Sequence, residues 1–272
     1  MPKDRIAIYT SLYGGFDPLQ DSVEQDVEVD WICFTDDPAM TSSSWKIVVD
    51  PPRMATSRMS AKFHKMRPTA VLPDHRWAIW IDANVLVDAP GFAREVVRFA
   101  EGLGAPVTTF AHPQRDCILD EAHACTELGK CEGVPVVAQA EAYLIEGYPR
   151  HGGLFGCRCL VWDSHHPMAD ELGRRWLEEC QRWTFRDQIS FPVVASRMGI
   201  RPGVLPHHLF RHTPPEAITC WLRQRRWGKA LLQRVAVTSA DPGVGSSRHP
   251  VSRRFPLIGN PWFDTVSHRL ET

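Results

Sequence analysis

The sequence predicts an α/β protein built as one large domain with a tail. Short apolar runs rich in β-branched and aromatic residues end repeatedly in polar loop residues, and segments of helical spacing separate them. The 272 residues are 43% hydrophobic and 10% aromatic, enough to fill a sizeable core. Since α/β chains of roughly 200–250 residues commonly form a single domain, one domain over residues 1–237 is expected. Residues 238–272, rich in Pro, Gly, Ser and Arg, read as a loosely structured tail.

Ile6–Thr10 is the first strand, opening into Ser11-Leu12-Tyr13-Gly14-Gly15. Val29–Phe34 is the second and ends in Thr35-Asp36-Asp37-Pro38; Trp45–Val49 is a third. Both of the first two strands finish in polar loops, where open α/β sheets place their ligands. Met54–Met66 reads as a helix on which Arg58, Lys62 and Lys65 recur at helical spacing, with Arg58 and Lys62 sharing a face. Trp77–Ile81 is a wholly apolar strand stopped by Asp82, with a helix to follow from Gly91 to Glu101 and a strand at Val107–Phe110. Leu119–Tyr148 is helical in composition and is broken in two by Gly133 and Pro135. Cys159–Trp162 is a strand, and Met168–Trp183 a helix with Leu172, Trp176 and Cys180 on its core stripe. A further helix runs from Asp187 to Met198, and Gly203–His208 is an edge strand.

Thirty-one basic side chains nearly balance 32 acidic ones, so no global field favours nucleic acid or an anionic membrane. From Arg211 to Arg254, however, nine Lys/Arg face only two Asp/Glu. No apolar stretch reaches the ~18–20 residues of a membrane helix, so no membrane span is expected and the chain reads as cytoplasmic. The eight cysteines are scattered through an enzyme-sized chain, which favours reduced thiols over a disulfide framework. Cys117, Cys125, Cys131 and His123 match no standard zinc spacing. Asp120-Glu121-Ala122-His123 spells a helicase signature but lacks a phosphate-binding loop to accompany it, and neither a nucleophile elbow nor an H-E-x-x-H helix is present.

Asp82 is the strongest local signal. A carboxylate at the end of a buried strand needs a partner, and a divalent cation (Mn2+ or Mg2+) bridging to a diphosphate is one, with Asp82-Ala83-Asn84 standing as an Asp-x-Asp-like device; a turn-capping role is the alternative. His208, in the pair after Val204-Leu205-Pro206, is a candidate third metal ligand. Arg58 and Lys62 could neutralise a departing diphosphate or form a solvated face, and Asp36 and Asp37 could accept hydrogen bonds from a ribose or base or form an ordinary Asp-Asp-Pro turn. Asp187 and Gln188, at the start of an apolar helix, could hold sugar hydroxyls. Asp187 could instead deprotonate an acceptor or cap the helix, and Glu179 is an alternative base.

The ordered set of segments resembles a glycosyltransferase-like family long catalogued as a domain of unknown function, with plant mucilage-related and bacterial members. Its carriers here are Ile8-Tyr9-Thr10-Ser11-Leu12-Tyr13-Gly14-Gly15-Phe16-Asp17, Cys33-Phe34-Thr35-Asp36-Asp37, Arg58 with Lys62, and Trp80-Ile81-Asp82-Ala83-Asn84. His112–Cys117, Glu146–Pro149, Gly152-Gly153-Leu154 and Arg186–Phe191 follow in order. The resemblance implies a GT-A-like fold with a mixed, mainly parallel central sheet flanked by helices. It implies a donor site in which Thr10, Tyr13 and Asp36 contact the nucleoside and Arg58 and Lys62 the diphosphate. Asp82 and Asn84 then meet the metal or donor sugar, and Gly153, Asp187 and Gln188 the sugar pocket. Asn84 departs from the second acid of metal-dependent relatives, and a neutral amide binds a divalent ion more weakly.

The expected activity is transfer of a sugar from a nucleotide diphosphate sugar, a UDP-sugar favoured, to a hydroxyl or amine on a small-molecule or glycan acceptor. Two other readings are a hydrolase using Asp187 and Glu179 as a carboxylate pair and a non-catalytic nucleotide-sugar-binding module.

Overall fold

A computed structural model describes residues 4–15, 17–21, 23–131, 133–206 and 209. The expected boundary between residues 237 and 238 and the basic stretch from Arg211 lie outside these residues, as does His208. The elements are β1 (Ile6–Leu12), β2 (Asp30–Thr35), β3 (Lys46–Val49), α1 (Ser57–Met66), α2 (Pro68–Val71), β4 (Trp77–Ile81) and α3 (Phe92–Leu103). They continue as β5 (Val107–Ala111), α4 (Ile118–Glu127), α5 (Val136–Ile145), β6 (Phe155–Asp163), α6 (Ala169–Arg182), α7 (Asp187–Arg197) and β7 (Gly203–Val204).

The strands form one seven-stranded sheet in the order β3-β2-β1-β4-β6-β5-β7. Neighbours β1/β2, β1/β4, β2/β3 and β5/β7 are parallel, while β6 lies antiparallel to both β4 and β5. The sheet is therefore mixed and mainly parallel, with helices flanking it, as the resemblance implies.

Alternation within the central strands divides the core between the two faces of the sheet. Tyr9, Ala78, Trp80, Leu160 and Trp162 pack with Trp176 of α6 and Phe191 of α7. Ile8, Ile79, Ile81, Cys159 and Val161 pack with Ala93, Val96 and Ala100 of α3. Because both faces of β4 are covered, all five of its residues are buried and it reads as a continuous apolar run. A smaller cluster of Ile118, Val136, Tyr143, Ile189 and Val193 joins α4 and α5 to α7.

Helix α1 begins later than the sequence suggests because the Thr56 side chain caps it, accepting from the Met59 amide at 3.2 Å. It lies along β1, where Tyr9 Oη donates to the Lys65 carbonyl at 3.3 Å and Ser11 Oγ to the Ala61 carbonyl at 3.2 Å. Its C-terminal end meets α6 at Gly173, where an added Cβ would fall 1.8 Å from the Met66 carbonyl oxygen. Neither backbone can yield without moving a helix. We predict that Gly173→Ala lowers stability by about 1–3 kcal/mol, read from urea denaturation. An unchanged midpoint would show that the α1–α6 contact is looser than this.

Candidate active site

The side chains that converge lie on the sheet face shared with α1 and α7. Asp82 continues the alternation of Ala78 and Trp80, which fixes the direction in which it leaves β4. Trp80 Nε1 donates to Asp82 Oδ1 at 3.0 Å, and the Asp82 carbonyl accepts from the Val85 amide at 2.8 Å to close a turn. The backbone of Asp82 thus closes the turn, while its side chain remains a third exposed at 34%.

Across from it, Asp187 at the start of α7 is almost fully enclosed and takes two ammonium groups on one oxygen. Lys62 Nζ lies 2.5 Å and Lys65 Nζ 2.6 Å from Asp187 Oδ2, and Lys65 Nζ also lies 3.6 Å from Asp82 Oδ1. Lys62 and Lys65 reach the same carboxylate because residues three apart on a helix are neighbours on its surface. Asp187 Oδ1 accepts from the Gln188 amide at 3.1 Å, and the Asp187 carbonyl accepts from Trp176 Nε1 at 3.1 Å.

Burial pushes the Asp187 carboxyl upward, but the charges and hydrogen bonds of Lys62 and Lys65 outweigh it and hold the group well below the usual carboxylate range. Burial likewise works against the Lys65 ammonium, yet Asp187 and Asp82 together raise it above an ordinary lysine. Lys62 is lowered by its burial, with the Lys65 charge adding to the effect and Asp187 only partly offsetting it. Asp187 therefore stands as an anion shared by two lysines at the start of α7.

The other residues expected at the donor site are placed as follows. Thr10 is fully buried within β1, and Tyr13 is 2% exposed with its hydroxyl donating to Asp50 at 3.1 Å, so both belong to the core. Asp36 does stand at the end of β2, but it accepts from the Gly14 amide at 3.1 Å and ties the first two strand ends together. The Arg58 guanidinium stacks 4.0 Å over the Phe185 ring. Gln188 spans backbone and side chain, donating to the Phe155 carbonyl at 3.1 Å and accepting from Arg186 at 3.2 Å. Gly153 holds φ 102°, a conformation suited to glycine, and its carbonyl accepts from Tyr148.

Glu179 belongs to a separate cluster, where it accepts from Tyr143 at 2.9 Å and pairs with Arg197 at 3.2 Å. Asp187 and Glu179 are thus held by different cations, Asp187 by Lys62 and Lys65 and Glu179 by Arg197.

The residue that sequence reasoning missed is Arg158 of β6. The antiparallel register Ile81↔Cys159 sets Arg158 opposite Asp82, and the Asp82 amide donates to the Arg158 carbonyl at 2.9 Å. Directly opposed residues project to the same face. Arg158 Nη2 donates to Asn84 Oδ1 at 3.1 Å, and its Nε lies 4.0 Å from Asp82 Oδ2. A guanidinium therefore addresses both side chains expected to hold a divalent cation. Among the described residues no three His, Cys, Asp or Glu side chains are grouped to hold a metal ion. One carboxylate and one amide, with Arg158 and Lys65 against them, are a poor donor set for a doubly charged ion. The Asp82–Asn84 metal pair does not fit this arrangement, and its expected third member, His208, lies outside the described residues.

We predict that Asp187→Asn, by leaving two buried ammonium groups facing a neutral amide, costs about 3–5 kcal/mol at pH 7. Since the folded Asp187 carboxyl is depressed, its contribution is complete above the unfolded value near ~3.9 and disappears as pH falls toward the folded one. The stability gap between wild type and variant, read from urea midpoints, should narrow below about pH 4. A gap that is constant with pH would show that the carboxylate charge is not what holds the lysines.

The family model described as the TOD1/MUCI70, glycosyltransferase-like domain matches residues 33–219. Among curated proteins, the chain is 27% identical over 167 residues to a probable hexosyltransferase MUCI70 of Arabidopsis thaliana. That match covers 58% of this chain but only 28% of the plant protein. Among solved structures, an apo WbbM bifunctional glycosyltransferase superposes with a TM-score of 0.47 at 9% identity, covering 75% of this chain and 39% of the other. Apo mouse xyloside xylosyltransferase 1 gives 0.45 at 12% identity, covering 76% of this chain and 86% of the mouse chain.

Proposed function

The chain belongs to the TOD1/MUCI70 glycosyltransferase-like domain family, and on that premise we propose that it moves a sugar from a nucleotide diphosphate sugar to a hydroxyl or amine acceptor. The observation that carries this reading is the charged cluster at the end of β4. Asp82, partly open to solvent, is fixed by Trp80, Lys65 and Arg158, with Lys62 behind them on Asp187. Buried or half-buried cations gathered at the carboxyl ends of parallel strands suit a ligand carrying a diphosphate.

In this reading the side chains act by position and charge. Lys62, 18% exposed, and Arg158, 43% exposed, face the leaving diphosphate, while the enclosed Lys65 orients Asp82. Asp82 accepts from a hydroxyl of the donor sugar. A hexose as the transferred sugar takes support from the name of the plant relative, and UDP as its carrier is the favoured choice. The acceptor is a small molecule or a glycan. Among the described residues no helix is long and apolar enough to cross a membrane.

The test is a thermal-shift screen of UDP-, GDP-, TDP- and CMP-sugars, since a ligand that binds the folded state raises its midpoint. It is followed by a transfer assay on the donor that stabilises best. Asp82→Ala should reduce transfer by about 100-fold or more through lost transition-state contacts. Its midpoint should move little, because the carboxylate is a third exposed at 34%. Full activity in that variant would remove Asp82 from the site, and stabilisation by a donor without any turnover would favour a binding module.

A further inference from the structure

The geometry points to Arg158 as the resident cation of the donor site, holding the nucleotide diphosphate in the place where a divalent metal ion would otherwise bridge it to the protein. The inference rests on the donor-site reading above and says how that site binds without an ion.

Register makes the placement of Arg158 structural. Asp82 and Arg158 are joined across the end of the β4–β6 ladder by the 2.9 Å bond from the Asp82 amide. Arg158 follows the alternation of Leu160 and Trp162, so its side chain rises on the same face as Asp82, α1 and α7. On that face its guanidinium lies between the two oxygens a metal would use, at 3.1 Å from Asn84 Oδ1 and 4.0 Å from Asp82 Oδ2.

The chemistry of Asn84 agrees. A carboxylate at this position would offer a divalent ion a second charged ligand, whereas the amide oxygen only accepts a hydrogen bond, which Arg158 supplies. Asp82 Oδ1 is already turned inward to Trp80 at 3.0 Å and Lys65 at 3.6 Å. An ion seated between Asp82 and Asn84 would have to displace one fixed cation and sit beside another. With its side chain 43% exposed, Arg158 carries a planar fork of donors, the geometry that matches phosphate oxygens in pairs.

The experiment titrates the full chain with UDP, GDP, TDP and CDP by calorimetry, once with EDTA and once with excess manganese, and repeats it on Arg158→Gln and Arg158→Lys after thermal melts verify folding. Wild type is expected to bind one of the diphosphates with affinities in the two buffers that agree within about threefold. In EDTA, Arg158→Gln should lose about tenfold or more, as expected for a charged hydrogen-bond donor removed from an anion. Arg158→Lys, which keeps the charge, should lose less. Wild-type affinity that collapses in EDTA, or an Arg158→Gln variant that binds as wild type does, overturns the inference and leaves the donor site standing. Failure of all four diphosphates to bind wild type in both buffers overturns the donor-site reading itself, and the inference with it.

Discussion

A single buried carboxylate shared by two ammonium groups sets most of the local architecture. Asp187 is 7% exposed and Lys65 3%, so neither charge can be recovered by water if the contact opens. Taking such groups out of solvent is expensive unless their partners are held in place. Here the hold is supplied by packing: α1 is tied to β1 through Tyr9 and Ser11, and the start of α7 is pinned by Trp176 donating to the Asp187 carbonyl. Two lysines on one carboxylate leave an excess positive charge, and Lys65 directs part of it to Asp82 at 3.6 Å. Asp82 at the strand end is thus tied to a buried ion cluster through Lys65.

The sheet contributes a second constraint, through direction rather than charge. Inserting one antiparallel strand into an otherwise parallel sheet brings the beginning of β6 to the end of β4, and so brings a residue from each strand to the same edge. In a purely parallel neighbour the residue beside the end of β4 would also be a strand end. Here it is Arg158, the fourth residue of β6, firmly held by ladder bonds on its C-terminal side. That gives the guanidinium a rigid base even though its tip reaches solvent.

Strands and helices with a plain hydrophobic pattern were legible in the sequence. β4 is wholly apolar, and the Leu172-Trp176-Cys180 stripe is buried as its spacing predicts. The beginning of β6 was not, because Phe155-Gly156-Cys157-Arg158 mixes a glycine and a charge into a stretch whose pairing with β5 is broken by a register shift. The short α2, with Pro68 at its first position, is too brief for any periodic signal. Of the expected last strand, Gly203 and Val204 form the strand that pairs with β5, while His207 and His208 lie outside the described residues. The same limit governed the site. Asp82, Lys62 and Asp187 were each singled out from local residue type, yet their association spans as many as 125 positions and is invisible to spacing. The burial of Thr10 in β1 and of Tyr13 just beyond it was not legible either, because composition carries no sign of which residues there turn toward solvent.

The electrostatic design follows from these two constraints acting together. Charges stabilise a developing anion most when they need not reorient to meet it, and every charged group of this cluster is restrained before any ligand arrives. Lys62 and Lys65 are fixed by Asp187, Asp82 by Trp80 and Lys65, and Arg158 by its own strand and Asn84. Water in such a site would have to rearrange around a departing diphosphate, whereas these groups would already point at it. Under the proposed activity, the energy spent in burying the lysines at folding is recovered as a field that costs nothing to organise at the moment of transfer. That coupling explains why the least solvent-exposed charges in this part of the molecule lie directly behind the most useful one.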